Sequence, residues 1–304
     1  MSSCDAAGTP RVIAVVGPTA AGKSDLALHL AEVLGGEIVN ADAFQFYRGM
    51  DIGTAKATAA QRARVTHHCL DFLDISETAS VAAFQSLARD AMTATLAAGR
   101  VPIVVGGSAL YLRAALDELQ IPPRDEAVRA RLTTEARERG GAALHDELRR
   151  RDPEAASHID PRNVRRVVRA LEVVELTGSF TARLPDPRPW RPTLWLMPKR
   201  SRPEVDDRIS ARTRSMWSGG FLDEVARLVG QGLPDAPTAA KAVGYGEAMA
   251  VLAGEFTKEQ GMAATDSATR RLARRQDRTF RADKRVVAVD SDVEGVDAAR
   301  RWLT

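Results

Sequence analysis

The chain is poor in the residues that build cross-linked, membrane-embedded or low-complexity proteins. Only two cysteines, Cys4 and Cys69, occur in 304 residues. That is too few for a disulfide framework or a metal site, and it points to a reducing compartment. No apolar run approaches the roughly 20 residues that span a bilayer. Met1–Pro10 is small and polar, without a charged-then-apolar leader pattern. A cytoplasmic protein with no membrane association is therefore expected. Lysine is scarce: Lys23, Lys56, Lys199, Lys241, Lys258 and Lys284 leave nearly all remaining positive charge to arginine, much of it after residue 110. The planar guanidinium suits phosphate, but arginine usage alone decides little when the net charge is only +3. With 44% hydrophobic and 27% charged residues the composition is that of an ordinary globular protein. The length allows one large α/β domain with an insertion, or two domains.

Apolar runs alternate with helical stretches over the first 110 residues. Val12–Val16, Glu37–Asn40 and Val101–Val105 read as buried strands, and Val81–Ala98 reads as a helix ended by Gly99. This alternation predicts a parallel sheet covered on both faces. Between Asp125 and Gly178 the strand signal stops. Charged amphipathic stretches replace it at Asp125–Arg139, Ala142–Arg150 and Asn163–Leu176. The proline-rich Leu184–Pro189 reads as a stiff linker. A strand at Thr193–Met197 then returns to the sheet. Helices are expected from Arg208, Phe221, Tyr245, Thr257 and Thr265, and a last strand at Val286–Val289. The fold class expected is α/β, a P-loop NTPase-like parallel sheet flanked by helices. Residues 1–112 would begin the core and 113–188 would form an all-helical insertion. Residues 189–304 would complete the core and add a helical, basic C-terminal region.

The strongest motif is Gly17-Pro18-Thr19-Ala20-Ala21-Gly22-Lys23-Ser24, which fits the phosphate-loop pattern. A buried strand precedes it. Leu26, Ala27, Leu30, Ala31 and Leu34 follow at helical spacing, with Gly35-Gly36 as a stop. Glycines let backbone N–H groups turn inward around a phosphate, and the helix N-terminus adds partial positive charge. Lys23 would neutralise the terminal phosphates, and the Ser24 hydroxyl would join a Mg²⁺ shell. The chain is expected to bind a di- or triphosphate.

Nucleotide-hydrolysing P-loop proteins usually carry an Asp at the end of a second buried strand. Here Pro102-Ile103-Val104-Val105 ends instead in Gly106-Gly107-Ser108. The carboxylate comes earlier, at Asp42, after Ile38-Val39-Asn40-Ala41. Ligands of open α/β sheets sit outside the carboxyl ends of the strands, so Asp42, Ser108 and Gly17–Ser24 should face one crevice. Two chemistries fit. In one, the loop holds ATP and Asp42 activates a hydroxyl that takes the γ-phosphoryl group. In the other, the loop holds a diphosphate leaving group and the attached carbon is transferred. The loop alone does not separate them.

Other conspicuous residues take plainer readings. His67-His68 point to opposite sides of the chain and lack a third ligand, so a structural role is expected. Cys69, Trp190, Trp195 and Trp217 read as core. From the residues alone, Arg165, Arg166 and Arg169 read as a solvated helix face. The denser run Arg270, Arg271, Arg274, Arg275, Arg278 and Arg281 suggests binding to a phosphate backbone.

Taken together these segments resemble the tRNA dimethylallyltransferase (tRNA isopentenyltransferase) family. The resemblance covers nearly the whole chain. It runs through Gly17–Ser24, Asp42–Lys56, His67–Asp71, Gly106–Tyr111 and Arg169–Val173, then Gly219–Val225, Gly244–Glu247 and Thr269–Arg271. Tyr47–Lys56 discriminates best, because generic nucleotide kinases have nothing like it. The resemblance implies transfer of the dimethylallyl group of dimethylallyl diphosphate to N6 of an adenine beside the anticodon, with diphosphate released. It makes Asp42 the general base. Thr19, Lys23, Ser24 and Arg212, with Mg²⁺, would stabilise the departing diphosphate, and Ser108 would contact the adenine or Asp42. It also implies tRNA contacts at Asp42, Ala43, Phe44, Gln45 and Ser108, and anticodon stem-loop contacts at Arg129, Arg165, Arg166 and Arg169. Ala43 replaces the family's usual Ser, Ser108 its Thr, and Thr279-Phe280 its Trp-Phe pair. Three other functions remain in view: prenylation of free adenine nucleotides, an ATP-dependent small-molecule kinase, and a non-catalytic RNA-binding P-loop protein. A monomer is expected, since one chain carries loop, base and clamp.

Overall fold

A computed structural model describes residues 11–182 and 184–304. The expectations for Met1–Pro10, Cys4 among them, lie outside the described residues. Six strands form one parallel sheet: β1 (Val12–Val16), β2 (Gly36–Asn40), β3 (His67–His68), β4 (Val101–Gly106), β5 (Thr193–Pro198) and β6 (Val286–Val289). Their order is β3-β2-β4-β1-β5-β6, and every paired neighbour runs parallel. The helices, in chain order, are α1 (Lys23–Leu34), α2 (Ala59–Arg64), α3 (Val81–Ala97), α4 (Ala109–Leu116), α5 (Glu126–Arg139), α6 (Gly141–Arg151) and α7 (Pro153–Ser157). They continue with α8 (Val164–Thr177), α9 (Arg202–Ser218), α10 (Phe221–Val229), α11 (Tyr245–Leu252), α12 (Lys258–Ala282) and α13 (Asp292–Leu303).

β1 is central, and all five of its residues are buried. Because strand side chains alternate between faces, it feeds two cores. Val12, Ala14 and Val16 join Val104, Phe84, Met92 and Leu112 under α3 and α4. Ile13 and Val15 join Leu26, Leu30, Ile103 and Leu196 under α1 and α13. A strand buried on both faces must be a continuous apolar run, which is why Val12–Val16 is legible in the sequence. The chain crosses to opposite sides of the sheet after β1 and after β4. Their carboxyl ends therefore open the crevice where such folds place ligands.

The helices depart from expectation at identifiable signals. α9 starts at Arg202 rather than Arg208, because Ser201 and Glu204 form a capping box with Pro203 in the first turn. The helices expected from Thr257 and Thr265 are one helix, α12. Thr265 is buried inside it and donates to the Gly261 carbonyl at 2.9 Å. Two elements are not among those expected: the two-residue β3, too short for a pattern, and α13, although Val293, Val296, Ala299 and Trp302 recur at helical spacing.

The chain divides into two units. One contains the sheet and comprises the residues up to Glu118 and from Pro189 on; the other is Leu119–Arg188. The second begins later than residue 113 because Leu112, Ala115 and Leu116 of α4 belong to the core of the sheet. It is all helical, α5 to α8 around Leu132, Leu144, Leu148, Val167 and Leu171.

Phe84 is fully buried and packs on Phe46 and Tyr111, with ring centroids 5.1 Å from each. We predict that Phe84→Ala costs about 3–5 kcal/mol of core stability. A thermal melt that leaves the midpoint of the sheet-containing unit unmoved would contradict this packing.

Candidate active site

The phosphate loop leaves β1 through three positive-φ residues, Gly17 at 130°, Ala20 at 64° and Gly22 at 97°. A Cβ on Gly17 would lie 2.9 Å from Met197 Cγ, so only glycine both turns and fits there. Gly22 opens α1, and Lys23 Nζ donates to the Pro18 carbonyl at 2.8 Å, closing the loop over itself. Next to the loop, the chain after β2 turns through a short 3-10 segment, Ala43–Phe46, capped by Asp42. Asp42 Oδ1 accepts from the Phe44 N–H at 3.0 Å, and Asn40 Nδ2 fixes the turn by donating to the Asp42 carbonyl at 3.2 Å. A capping carboxylate is an ordinary local feature. Its surroundings here are not.

Thr19, Lys23, Ser24, Asp42, Gln45, Gly106, Gly107 and Arg212 all line one crevice of about 1180 Å³. Desolvation raises the Asp42 pKa above the usual carboxylate range, against the pull of Lys23 and Arg212. The same enclosure pushes Lys23 down to about 8, although Asp42 opposes the shift. Burial also lowers Arg212, whose Nη1 donates to Thr19 Oγ1 at 3.5 Å. One carboxylate, able to accept a proton, and two cations thus share one partly desolvated crevice.

Of the expected site residues, the phosphate loop, Asp42, Gln45 and Arg212 converge. Ser108 is half-buried just beyond the lining. It opens α4 without a side-chain cap hydrogen bond. The expected tRNA-contacting arginines of α5 and α8 belong to the other unit, and three of the four are bonded within it. Arg129 and Arg169 both pair with Glu172, which is fully buried, and Arg169 also donates to the Pro122 and Pro123 carbonyls at 2.9 Å. Arg166 donates to the Ala182 carbonyl. Arg165 and Arg166 are both exposed, and neither makes an ion pair among the described residues. The expected arginine clamp is therefore partly the internal frame of a helical unit.

Sequence reasoning missed two residues from the far end of the chain. Gln276 on α12 accepts from the Thr19 N–H at 2.8 Å and donates to the Gly107 carbonyl at 3.0 Å, tying the phosphate loop to the glycine turn after β4. Arg208 on α9 donates to the Ala20 carbonyl at 2.7 Å. An uncharged Gln inside an arginine run was the only available signal for the first. Trp195 and Trp217 are core, as expected, and His68 pairs with Glu37 at 2.8 Å in a structural contact. Among the described residues no group of three or more His, Cys, Asp or Glu side chains could hold a metal, and no helix is long and apolar enough to cross a membrane.

Sheet order, phosphate loop and crevice define an α/β protein of the P-loop NTPase-like class. Within that class the chain belongs to the IPP transferase family, whose model matches residues 45–283. It is 55% identical over 278 residues to the tRNA dimethylallyltransferase of Streptomyces coelicolor, covering 91% of this chain and 89% of that one. Its identity to the tRNA dimethylallyltransferase of Salinispora tropica is 50% over 294 residues, 96% and 92% of the two chains. The structure is similar to that of the full-length tRNA isopentenylpyrophosphate transferase from Bacillus halodurans, with a TM-score of 0.71, 36% identity and 97% of each chain covered.

Lys23 is cationic below about pH 8 and neutral above it. Inorganic diphosphate should therefore bind the free protein more weakly as pH rises through that value, and calorimetric titration at a series of pH values measures it. A Lys23→Met variant should bind weakly throughout and lose this dependence. A flat wild-type profile would place the Lys23 charge outside the anion site.

Proposed function

We propose that the chain transfers the dimethylallyl group from dimethylallyl diphosphate to N6 of the adenine next to the anticodon of certain tRNAs, releasing diphosphate. The observation that carries this reading is the enclosed Asp42 carboxylate beside the phosphate loop, with glycines at the end of β4 where a hydrolase would carry its carboxylate. The family relatives named tRNA dimethylallyltransferase support the substrate.

The diphosphate sits in the Gly17–Ser24 loop, where inward amides, Lys23 and Arg212 oppose its charge. N6 of adenine is a poor nucleophile because its lone pair is delocalised into the ring. It attacks the carbon attached to the diphosphate as that C–O bond breaks, and the bonding electrons leave with the diphosphate. The proton displaced from N6 passes to Asp42. The pKa of Asp42, raised by desolvation, makes it a stronger base than a surface carboxylate. Adenine must leave its stack to reach this depth, at a cost of a few kcal/mol.

The residues also fit Mg²⁺. Ser24 is exposed at the mouth of α1 and lines the crevice, and Mg²⁺ needs only one or two protein oxygens beside substrate phosphates and water. Bound there, it would neutralise charge on the diphosphate oxygens. The proposal includes a monomeric, cytoplasmic enzyme, because loop, carboxylate and Arg212 come from one chain.

The direct test is incubation with dimethylallyl diphosphate, Mg²⁺ and unmodified tRNA, followed by mass spectrometry of the nucleosides. A prenyl-sized gain on adenosine is expected. A gain on free AMP alone would move the activity to nucleotide prenylation, and ATP consumption without either would make the loop a kinase loop. We predict that Asp42→Ala lowers kcat by about a thousandfold or more with tRNA binding near wild type. The wild-type rate should rise with pH as Asp42 deprotonates above the ordinary carboxylate range. It should then fall through about 8 as Lys23 loses its charge. Arg165→Ala should reduce the slope of log K for tRNA against log salt by about one, and an unchanged slope would return Arg165 to the solvated surface.

A further inference from the structure

Glu224 on α10 is 5% exposed, yet among the described residues it pairs with no cation. Its carboxylate instead collects three consecutive backbone N–H groups. Asp51 and Ile52 donate to Oε2 at 2.9 and 2.7 Å, and Gly53 donates to Oε1 at 3.1 Å. Tyr245, the first residue of α11, donates its hydroxyl to the same Oε1 at 2.7 Å. Successive amides turned toward one point form an anion-binding concavity, and here the anion is a side chain from about 170 residues away. The backbone lies flat against the ring system behind it. A Cβ on Gly53 would fall 2.4 Å from Phe221 Cε2 and 2.5 Å from Tyr245 Cε2, so only glycine allows this approach.

The segment held in this way is a wall of the crevice. Asp51, Ile52, Thr54 and Lys56 all line it. Its far end reaches the reacting carboxylate through one side chain: Gln45, in the turn that Asp42 caps, donates to the Thr54 carbonyl at 3.1 Å. Buried Lys56 fixes the other side, bonding the Tyr47 carbonyl at 2.7 Å, Asp51 at 2.7 Å and Asp71 at 2.6 Å. Without Glu224 the three amides would have no internal partner, and a loop of that kind moves to find water.

We propose that Glu224 and Tyr245 form a carboxylate clamp that positions the Asp51–Lys56 wall, and through Gln45 the Asp42 turn, for group transfer. The inference rests on reading the crevice as the prenyl-transfer site. Glu224 and Tyr245 are positioning residues; neither lines the crevice. A carboxylate is required because a carboxamide offers one acceptor oxygen and turns N–H against N–H at the other end.

The test compares Glu224→Gln and Tyr245→Phe with Val225→Ala, a buried neighbour on the same helix that touches none of the three amides. Each variant is melted, its amide hydrogen exchange over residues 50–56 is followed, its affinity for inorganic diphosphate is titrated, and tRNA prenylation is assayed. Glu224→Gln should lower kcat by about tenfold or more and speed exchange over 50–56, with diphosphate affinity within about twofold of wild type. Tyr245→Phe should show a smaller loss, and the double variant no more than Glu224→Gln, since the two act as one unit. Val225→Ala, with an equal or larger loss of Tm, should keep its turnover within about twofold. The proposal is overturned if Glu224→Gln retains wild-type kcat and exchange, or if Val225→Ala loses as much turnover at equal Tm. A wild type that prenylates nothing would instead overturn the functional reading, and the exchange data would still decide the clamp.

Discussion

Everything at this site depends on drawing three charges that would rather be solvated, Asp42, Lys23 and Arg212, partly out of water. Asp42 attracts both Lys23 and Arg212, which repel each other, yet desolvation outweighs the attraction: Asp42 is shifted toward its neutral form and Lys23 down to about 8. In water the same groups would interact by about 1 kcal/mol at contact and would carry ordinary pKa values. The parallel sheet matters because it puts the ends of β1, β2 and β4 side by side, so that loop, carboxylate and glycine turn face the same hollow. Gly106 and Gly107 put no carboxylate at the end of β4, directly beside the phosphate loop.

A parallel sheet leaves irregular loops at its carboxyl edge, and their amides need partners. The N-terminal half supplies the loops, and the C-terminal half supplies the partners. Gln276 takes the Thr19 amide, Arg208 the Ala20 carbonyl, and Glu224 the amides of Asp51, Ile52 and Gly53. α9, α10 and α12 are thus a frame that lets the site hold its shape. Contacts of such long sequence separation form late in folding, so the site is completed only after the chain has nearly all been made.

This division also explains what was legible in the residues. The phosphate loop, β1 and the helix after it are local patterns, and they read correctly because the physics that forms them acts within a few residues. Asp42 could be placed because a strand end is a local landmark. Glu224 and Gln276 could not, since their partners are backbone groups that carry no sequence label. The pairing of two arginines was hidden for a related reason. Arg129 and Arg169 look like free positive charge until Glu172 is seen between them, buried and accepting from both. α9 starts six residues before the expected Arg208 because the Ser201–Glu204 capping box, a polar signal, sets its first turn.

The stem of the Leu119–Arg188 excursion is fastened within the sheet-containing unit. Asp117 and Pro189 meet in an antiparallel bridge, and the Trp190 N–H donates to the Leu116 carbonyl at 2.8 Å. The Asp117 carboxylate, 1% exposed, is gripped by Arg113 at 2.8 Å and Arg285 at 2.6 Å, and its carbonyl by Arg89 at 2.6 Å. Three elements therefore hold one residue at the point of departure. Such a stem acts as a staple does: length changes and fraying beyond it are confined to the excursion, because the entropy of that loop is already closed off at its base. The inserted helices can then change in length without redesign of the sheet-containing unit.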